Sequence, residues 1–276
     1  PSSVFLDHYS VCNGVSVNGR FPSDLFKVDL PETAGPIIKV AVIDTGIDAA
    51  PKKLTHCITS AKSFVPCQHG WLDSSGHGTH CAGIIAGTIG IASQARLSIA
   101  KVFSDTTGES HAEWISQAIR WAVEDAQCDI ISMSLSCPLR KQEIYNAIHV
   151  ALVKGVIVVC AAANDGKKKR SPISYPAKYG GVLCVGAHDD DGNRCGFSSV
   201  GRELDFLAPG MNIATTHPGQ RYSVDNGTSM AAPFVSGLIA RLLCYDRRND
   251  GTLKKLHNTA DVRDFLQKLC TQGGHH

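Results

Sequence analysis

Six short apolar runs alternate with longer amphipathic stretches along this chain. Most of the runs are apolar throughout rather than at every second residue, which is typical of strands buried on both faces of a parallel sheet. They are IIKVAVID (37–44), RLSIAKVF (96–103), CDIISMSL (128–135), VIVVCAAA (156–163), GVLCVGA (181–187) and DFLAP (205–209). Helices are predicted at 77–87, 110–126, 141–154, 229–244 and 260–270. This alternation predicts an α/β fold, with three α/β/α layers around a mostly parallel, doubly wound sheet.

The domain organisation follows from the absence of any repeat, low-complexity tract or linker in the 276 residues. We predict one domain over residues 37–270, which is within the usual size range of α/β domains. Residues 1–36 are interpreted as an N-terminal extension that packs on this domain. Residues 271–276 are interpreted as a tail and, because of the final His-His, as the remnant of an expression tag. No signal peptide is recognised, and we interpret the chain as cut from a longer protein.

Charge and cysteine content limit the classes of partner and compartment. A net charge of +2 provides no general attraction to nucleic acid or membranes. The dense basic run KKKR at 167–170 has no interleaved aromatic residues and is interpreted as a solvated loop. No apolar run of membrane-spanning length is found. The eleven cysteines include no CxxC pair, so we predict no zinc site, and their scatter favours a reducing, cytoplasmic compartment, with secretion left open for a processed chain.

Three polar residues do not fit the core pattern. Asp44 ends the first apolar run, His77 opens a predicted helix within SGHGTHCAG, and Ser229 opens another within DNGTSMAAP. Each has a structural alternative, namely a turn aspartate, a buried histidine and a helix N-cap. The pair His77 and His80 also lacks the glutamate of the HExxH zinc motif. In sheets of the predicted kind, ligands bind at the carboxyl ends of the strands, which is where we expect these residues.

Taken together, the three motifs are far more specific than each alone. DTG at 44–46, HGTH at 77–80 and GTSMAAP at 227–233 occur in the order Asp, His, Ser. From about residue 38 to about residue 243 the chain resembles the subtilisin-like serine proteases (subtilases, peptidase S8), in particular those with HGTHCAG. The resemblance implies a serine endopeptidase in which Ser229 attacks the scissile carbonyl, His77 moves the proton and Asp44 orients the imidazole. His80 would then be a structural hydrogen-bonding residue.

The resemblance also implies an oxyanion hole. Asn164 directly follows the run VIVVCAAA, and an Asx turn is its structural alternative. In subtilases an asparagine at the matching place donates its side-chain amide to the oxyanion, beside the backbone N–H of the nucleophile. We carry this role over to Asn164.

An extended peptide or protein substrate is the partner that the resemblance implies, added as a strand to the backbone of the enzyme. Ser136 stands where the family usually has glycine, and Ser174 occupies a position that is often glycine, so the shape and charge preference of the S1 pocket stay open. The predicted substrate-contact residues are Ser134, Leu135, Ser136, Gly108, Ala163, Asp165 and Ser174.

No cofactor is expected to be required. The segment 86–92 is short where many subtilases insert a calcium-binding loop, so we predict that the tight calcium site is absent. A weak cation site is left open around Asp205 and three carbonyl oxygens, against the alternative that Asp205 forms a turn. The residues providing these carbonyls would be Ala177, Tyr179 and Val182. We further expect a monomer, no nucleic-acid or membrane partner, and a regulatory domain outside this sequence.

Two other functions are left open. The first is a catalytically silent fold that serves as a regulatory or binding domain, which the presence of Asp44, His77, Asn164 and Ser229 disfavours. The second is a peptide ligase or macrocyclase, which must shield its acyl-enzyme from water, and the sequence contains no inserted lid domain for that purpose.

Overall fold

The computed structural model describes residues 5–6, 21–25, 37–48, 52–66, 69–166, 172–219, 221–248 and 256–272. Its main sheet has seven strands, and all six neighbouring pairs are parallel. In spatial order these strands are β3 (Ile58–Ser63), β4 (Arg96–Lys101), β2 (Lys39–Asp44), β5 (Ile130–Met133), β7 (Ile157–Ala161), β8 (Leu183–His188) and β9 (Phe206–Pro209). The prediction of a parallel α/β/α fold is confirmed.

Helices cover both faces of this sheet. The described helices are α1 (Pro22–Leu25), α2 (Lys52–Thr55), α3 (His77–Ile85), α4 (Ala112–Glu124), α5 (Gln142–Val153), α6 (Thr228–Arg248) and α7 (Thr259–Gln272). The central strand β2 shows why the apolar runs are continuous. Val40 and Val42 belong to the core that contains α3 and α6, whereas Ala41 and Ile43 belong to the core that contains α4 and α5.

In the described residues four further strands lie outside the main sheet, and one strand of the main sheet was not predicted. A hairpin of β10 (Ile213–His217) and β11 (Arg221–Asp225) is antiparallel, and so is a short pair of β1 (Phe5–Leu6) and β6 (Leu135–Ser136). The predicted strand 128–135 is therefore wrong at its end, because it is divided into β5 and β6 at Ser134. The edge strand β3 was missed because none of its residues is fully buried, and its sequence ITSAKS contains no apolar run.

Helix α6 is an exception to the expectation that the chain has no apolar segment of membrane-spanning length. Among the described helices it is long and apolar enough over Thr228–Arg247 to cross a membrane. However, 78% of the tested window is buried inside the protein, where α6 packs on α3 and on strands β5, β7 and β8. We therefore interpret α6 as the core helix of the domain.

The topology brings the predicted polar residues to one edge of the sheet. The chain runs from β2 through β3 and β4 on one side, and from β5 through β7, β8 and β9 on the other. The order thus reverses between β2 and β5, which is the position where sheets of this kind bind ligands at the carboxyl ends of their strands. Asp44 ends β2, and Ser134 and Asn164 follow the ends of β5 and β7.

Candidate active site

The predicted acid and base lie in direct contact. Asp44 Oδ1 is 2.7 Å from His77 Nδ1, and both side chains are about 1% exposed. Asp44 is the last residue of β2, and His77 is the first residue of α3, so the contact joins a strand end to a helix start. The backbone N–H of Thr45 donates to the same oxygen of Asp44 at 2.7 Å, which fixes the carboxylate that faces the imidazole.

Glycines allow these two segments to approach each other. A Cβ on Gly78 would overlap the carbonyl oxygen of Gly46, and a Cβ on Gly46 would overlap the carbonyl oxygen of Trp71. Gly46 also has a φ of 113°, in a region that side chains disfavour. Gly46 in the DTG motif and Gly78 in the HGTH motif are therefore required because two backbones pack closely there.

The environment of His77 raises its affinity for a proton. Burial alone lowers the pKa of His77, but the Asp44 carboxylate, by its charge and its hydrogen bond, outweighs burial, with a smaller contribution from Cys81. The net pKa lies well above the ordinary value of 6.5. A buried imidazolium is thus stabilised next to Asp44, as a base that accepts a proton during a reaction requires.

The backbone around Ser229 is held from outside its own helix. Ser229 is the second residue of α6, and residue 233, four positions later, is a proline without an N–H. The carbonyl of Ser229 therefore accepts no helical hydrogen bond from residue 233. It accepts one from Ser134 Oγ at 2.9 Å and one from Cys81 Sγ at 3.6 Å. Ser134, predicted to contact substrate, thus fixes the start of α6 in this structure.

Cys81 contacts both the side chain of His77 and the backbone of Ser229. Its sulfur is 3.9 Å from His77 Nδ1 and 3.6 Å from the Ser229 carbonyl, so both residues border one buried thiol. Burial raises the pKa of this thiol, which favours the neutral form. One ligand atom each from Asp44, His77 and Cys81 lies within 4.8 Å of the others.

The side chain of Asn164 is fixed by the start of α6. Its Oδ1 accepts from the backbone N–H of Thr228 at 3.0 Å and from Thr228 Oγ1 at 3.1 Å. This orients Nδ2 toward Gly227, where a Cβ would be 3.2 Å from Asn164 Nδ2 and 3.6 Å from the N of Ser229. The Asn164 Nδ2 and Ser229 N atoms therefore both lie within 3.6 Å of the position that a Cβ on Gly227 would take. Instead of the alternative Asx turn, Asn164 forms a cap at the start of α6, a helix that is distant from it in the sequence.

Most predicted substrate-contact residues lie in adjoining segments. Leu135 and Ser136 form β6, and the next residue, Cys137, pairs with Tyr175, which follows Ser174. Ser174 in turn donates its N–H to the carbonyl of Ala162 at 3.4 Å. Ala163 has a φ of 86°, and Asp165 N–H donates to Ser199 Oγ.

Gly108 belongs to another segment of the chain. It is in the turn after β4, where its N–H donates to Ser104, and its φ of 68° favours glycine. The basic run at 167–170 lies outside the described residues.

A strand contact that the sequence did not reveal lies on β6. Phe5 pairs with Ser136 and Leu6 with Leu135, in antiparallel register. The backbone of the chain's own N-terminal extension therefore covers the segment predicted to bind substrate. Two residues are too few for a recognisable pattern, so no sequence signal marks this strand.

His80 is buried in a separate polar group. Its Nε2 hydrogen-bonds to Ser223 Oγ, and its Nδ1 is 3.5 Å from Asp225 Oδ2. Burial lowers the pKa of His80, and the charges of His77 and His217 lower it further, while Asp225 raises it. His80 thus connects α3 to the hairpin strand β11.

Asp205 and Val182 share a partner from helix α7. Arg263 Nε donates to Asp205 Oδ1 at 2.7 Å, and Arg263 Nη2 donates to the carbonyl of Val182 at 2.6 Å. The second oxygen of Asp205 accepts from the N–H of Cys184 at 2.8 Å. A guanidinium therefore contacts two of the groups around which a weak cation site was left open.

The structure thus defines an α/β protein with a buried, hydrogen-bonded Asp–His pair at the switch point of a parallel sheet, next to a thiol that also contacts the backbone of a helix-opening serine. The model of the subtilase family (Peptidase_S8) matches residues 35–269. The chain belongs to this family.

Relatives support this assignment across most of the chain. Subtilisin NAT of Bacillus subtilis subsp. natto is 39% identical over 248 residues, which cover 87% of this chain. The major intracellular serine protease of Bacillus subtilis is 41% identical over 227 residues, or 78% of this chain and 71% of that protein. An intracellular serine protease of Paenibacillus polymyxa is 37% identical over 86% of this chain and 72% of its own length. The match spans 62% of Subtilisin NAT.

Proposed function

We propose that this chain is a serine endopeptidase that cleaves peptide bonds through an acyl-enzyme on Ser229. The observation that carries the proposal is the buried 2.7 Å contact between Asp44 and His77, with Cys81 in contact with both His77 and the backbone of Ser229. Relatives named as serine proteases add support at the level of the family. A silent domain has no need of this arrangement.

The reaction follows from the roles of these groups. Ser229 Oγ attacks the scissile carbonyl carbon while His77 Nε2 takes the hydroxyl proton, and Asp44 stabilises the resulting imidazolium through Nδ1–H. Asn164 Nδ2–H and the N–H of Ser229 donate to the oxyanion of the tetrahedral intermediate. His77 then delivers the proton to the leaving amine. A water molecule repeats the sequence on the acyl-enzyme and releases the acid product.

The substrate binds as an added strand. The antiparallel pairing of Phe5–Leu6 with Leu135–Ser136 supports this, because it is an instance of an extended segment that bonds to β6. The same pairing implies competition, since a substrate on β6 displaces residues 5–6. Gly108, Ala163, Asp165 and Ser174 are proposed to line the remaining contacts.

Neither a metal nor an oxidising compartment is part of this proposal. The guanidinium of Arg263 provides positive charge to Asp205 and Val182, where a weak cation site was left open. Nine of the eleven cysteines lie in the described residues, and none of these nine is in a disulfide, in accord with a reducing cytoplasm. The monomeric state, a regulatory domain elsewhere, and the lack of nucleic-acid or membrane partners stay predictions.

A fluorophosphonate probe tests the proposal. We expect covalent labelling of the chain, no labelling of Ser229→Ala, and cleavage of an extended peptide library by the unaltered chain before labelling but neither after labelling nor by Ser229→Ala. Lack of labelling in a folded chain would identify a silent domain. Labelling combined with transfer of the acyl group to an added amine, in place of hydrolysis, would identify a ligase.

A further inference from the structure

The carboxylate of Asp73 accepts five hydrogen bonds, all from residues other than Asp44 and His77. Its Oδ1 accepts from Thr45 Oγ1 at 2.8 Å, from the N–H of Gly76 at 2.8 Å and from the N–H of Ser75 at 3.1 Å. Its Oδ2 accepts from the N–H of Thr79 at 2.9 Å and from Thr79 Oγ1 at 2.6 Å. The residue is 7% exposed, so this carboxylate is held almost entirely by protein donors.

These donors belong to the two segments that carry the acid and the base. Thr45 is the residue after Asp44, and its own N–H donates to the Asp44 oxygen that faces His77. Thr79 is in the first turn of α3, two residues after His77. Asp73 therefore bridges the end of β2 and the start of α3 through a single side chain.

Thr45 connects the same segments through its own hydroxyl and carbonyl groups. Its Oγ1 donates to Asp73 and accepts from the N–H of Gly78 at 2.8 Å, so one hydroxyl is used as both donor and acceptor. The carbonyl of Thr45 accepts from Lys101 Nζ at 2.5 Å, and Lys101 is the residue paired with Asp44 across the sheet. Thr45 is thus bonded to β4 and α3 at once.

The first-turn N–H groups of a helix have no acceptor within the helix and need one from outside. In α3, Gly76 provides no side-chain cap, and its φ is 93°. Asp73 and the Thr45 hydroxyl fill this need at Gly76, Gly78 and Thr79. The capping of the helix and the placement of His77 against Asp44 are therefore achieved by the same bonds.

We propose that Asp73 and Thr45 are positioning residues, which hold Asp44 and His77 in register for proton transfer without touching the substrate. This rests on the proposed endopeptidase function. Misplacement of reacting groups by about 1 Å is enough to lower a rate about 100-fold, whereas ground-state binding on β6 involves neither residue. The expected signature is a loss in kcat with KM unchanged.

The test compares matched variants on one peptide substrate. Asp73→Asn puts an amide N–H against backbone donors, and we expect kcat to fall about 10- to 100-fold with KM within about twofold. Thr45→Val is isosteric but has no hydroxyl and should lower kcat similarly, whereas Thr45→Ser restores the hydroxyl and should recover most of the loss. Asp129→Asn is the control. Asp129 also accepts from a backbone N–H and from a side chain, that of Arg247, but it precedes β5 and therefore lies at the amino ends of the strands, away from Asp44 and His77.

The outcomes separate positioning from stability and from the function itself. A fall in kcat in Asp73→Asn and Thr45→Val that is absent in Asp129→Asn, at melting temperatures equal to that of the control, supports the proposal. Retention of kcat within twofold in a folded Thr45→Val would overturn it, even if Asp73→Asn does not fold. If the unaltered chain neither cleaves nor is labelled, the proposed function fails instead.

Discussion

The side chain of Asn164 can be tested by two substitutions that separate catalysis from stability. Asn164→Ala removes both its acceptor and its donor. Asn164→Asp has the same shape and keeps the Oδ1 acceptor for Thr228, but replaces the Nδ2 donor by a second carboxylate oxygen. The two variants therefore lose the proposed oxyanion donor equally and differ in the cap of α6.

The structure sets the size of each effect. Loss of two hydrogen bonds to Thr228 at about 1 kcal/mol each should lower the free energy of unfolding of Asn164→Ala by about 2 kcal/mol, or about 4–8 °C in Tm. Loss of the oxyanion donor should lower kcat about 10²–10³-fold, a magnitude measured in subtilisin itself, a relative of this chain. In Asn164→Asp the charge next to a developing oxyanion adds repulsion, so kcat falls at least as far.

The assay is hydrolysis of a chromogenic peptide at about pH 8, where the introduced carboxylate is ionised, together with thermal unfolding of each variant. We expect kcat to decrease from the unaltered chain to Asn164→Ala to Asn164→Asp, with KM nearly constant. Stability should follow a different order, with Asn164→Asp close to the unaltered chain and Asn164→Ala below both. An Asn164→Asp variant that retains kcat, or in which only KM changes, would refute the assignment of Asn164 as an oxyanion donor.

Four more predictions follow from single contacts. Because His77 must be neutral to act as base and Asp44 raises its pKa, kcat/KM should fall as pH decreases through a midpoint above 6.5, and a midpoint below that value would contradict this contact. Chelators should leave the Tm of the unaltered chain unchanged, whereas Arg263→Ala should lower Tm and make Tm depend on added Ca²⁺ or Na⁺. A chelator that lowers the Tm of the unaltered chain would contradict the idea that the Arg263 guanidinium takes the place of a cation. Removal of residues 1–6 should lower KM for extended peptides with kcat unchanged, and an unchanged KM would show that β1 does not compete with substrate. An organic mercurial should inactivate the chain but not its Cys81→Ala variant, and full activity after confirmed labelling of Cys81 would count against the thiol's place beside His77.

Much of the fold follows from the sequence because strands buried on both faces must be apolar throughout. All six predicted runs contain strands of the main sheet, and all five predicted helices are present within a few residues. The exceptions have physical causes. The edge strand β3 is half exposed and mixes polar with apolar residues, and β10 is buried but contains two threonines that hydrogen-bond to α3.

The residues of the candidate site could also be predicted from the sequence, because DTG, HGTH and GTSMAAP are local motifs whose chemistry depends on the side chains they contain. Their mutual placement is different, because Asp44 and His77 are 33 residues apart and meet only when β2 and α3 pack. Lys101 and Arg263 carried no local signal, because the carbonyl groups they contact are distant in the chain, and Asp73 bonds not only its neighbours but also Thr45, 28 residues away. Hydrogen bonds between distant segments form only where folding brings donors and acceptors together, so the sequence determined which groups are present and the tertiary structure decided which of them work as one unit.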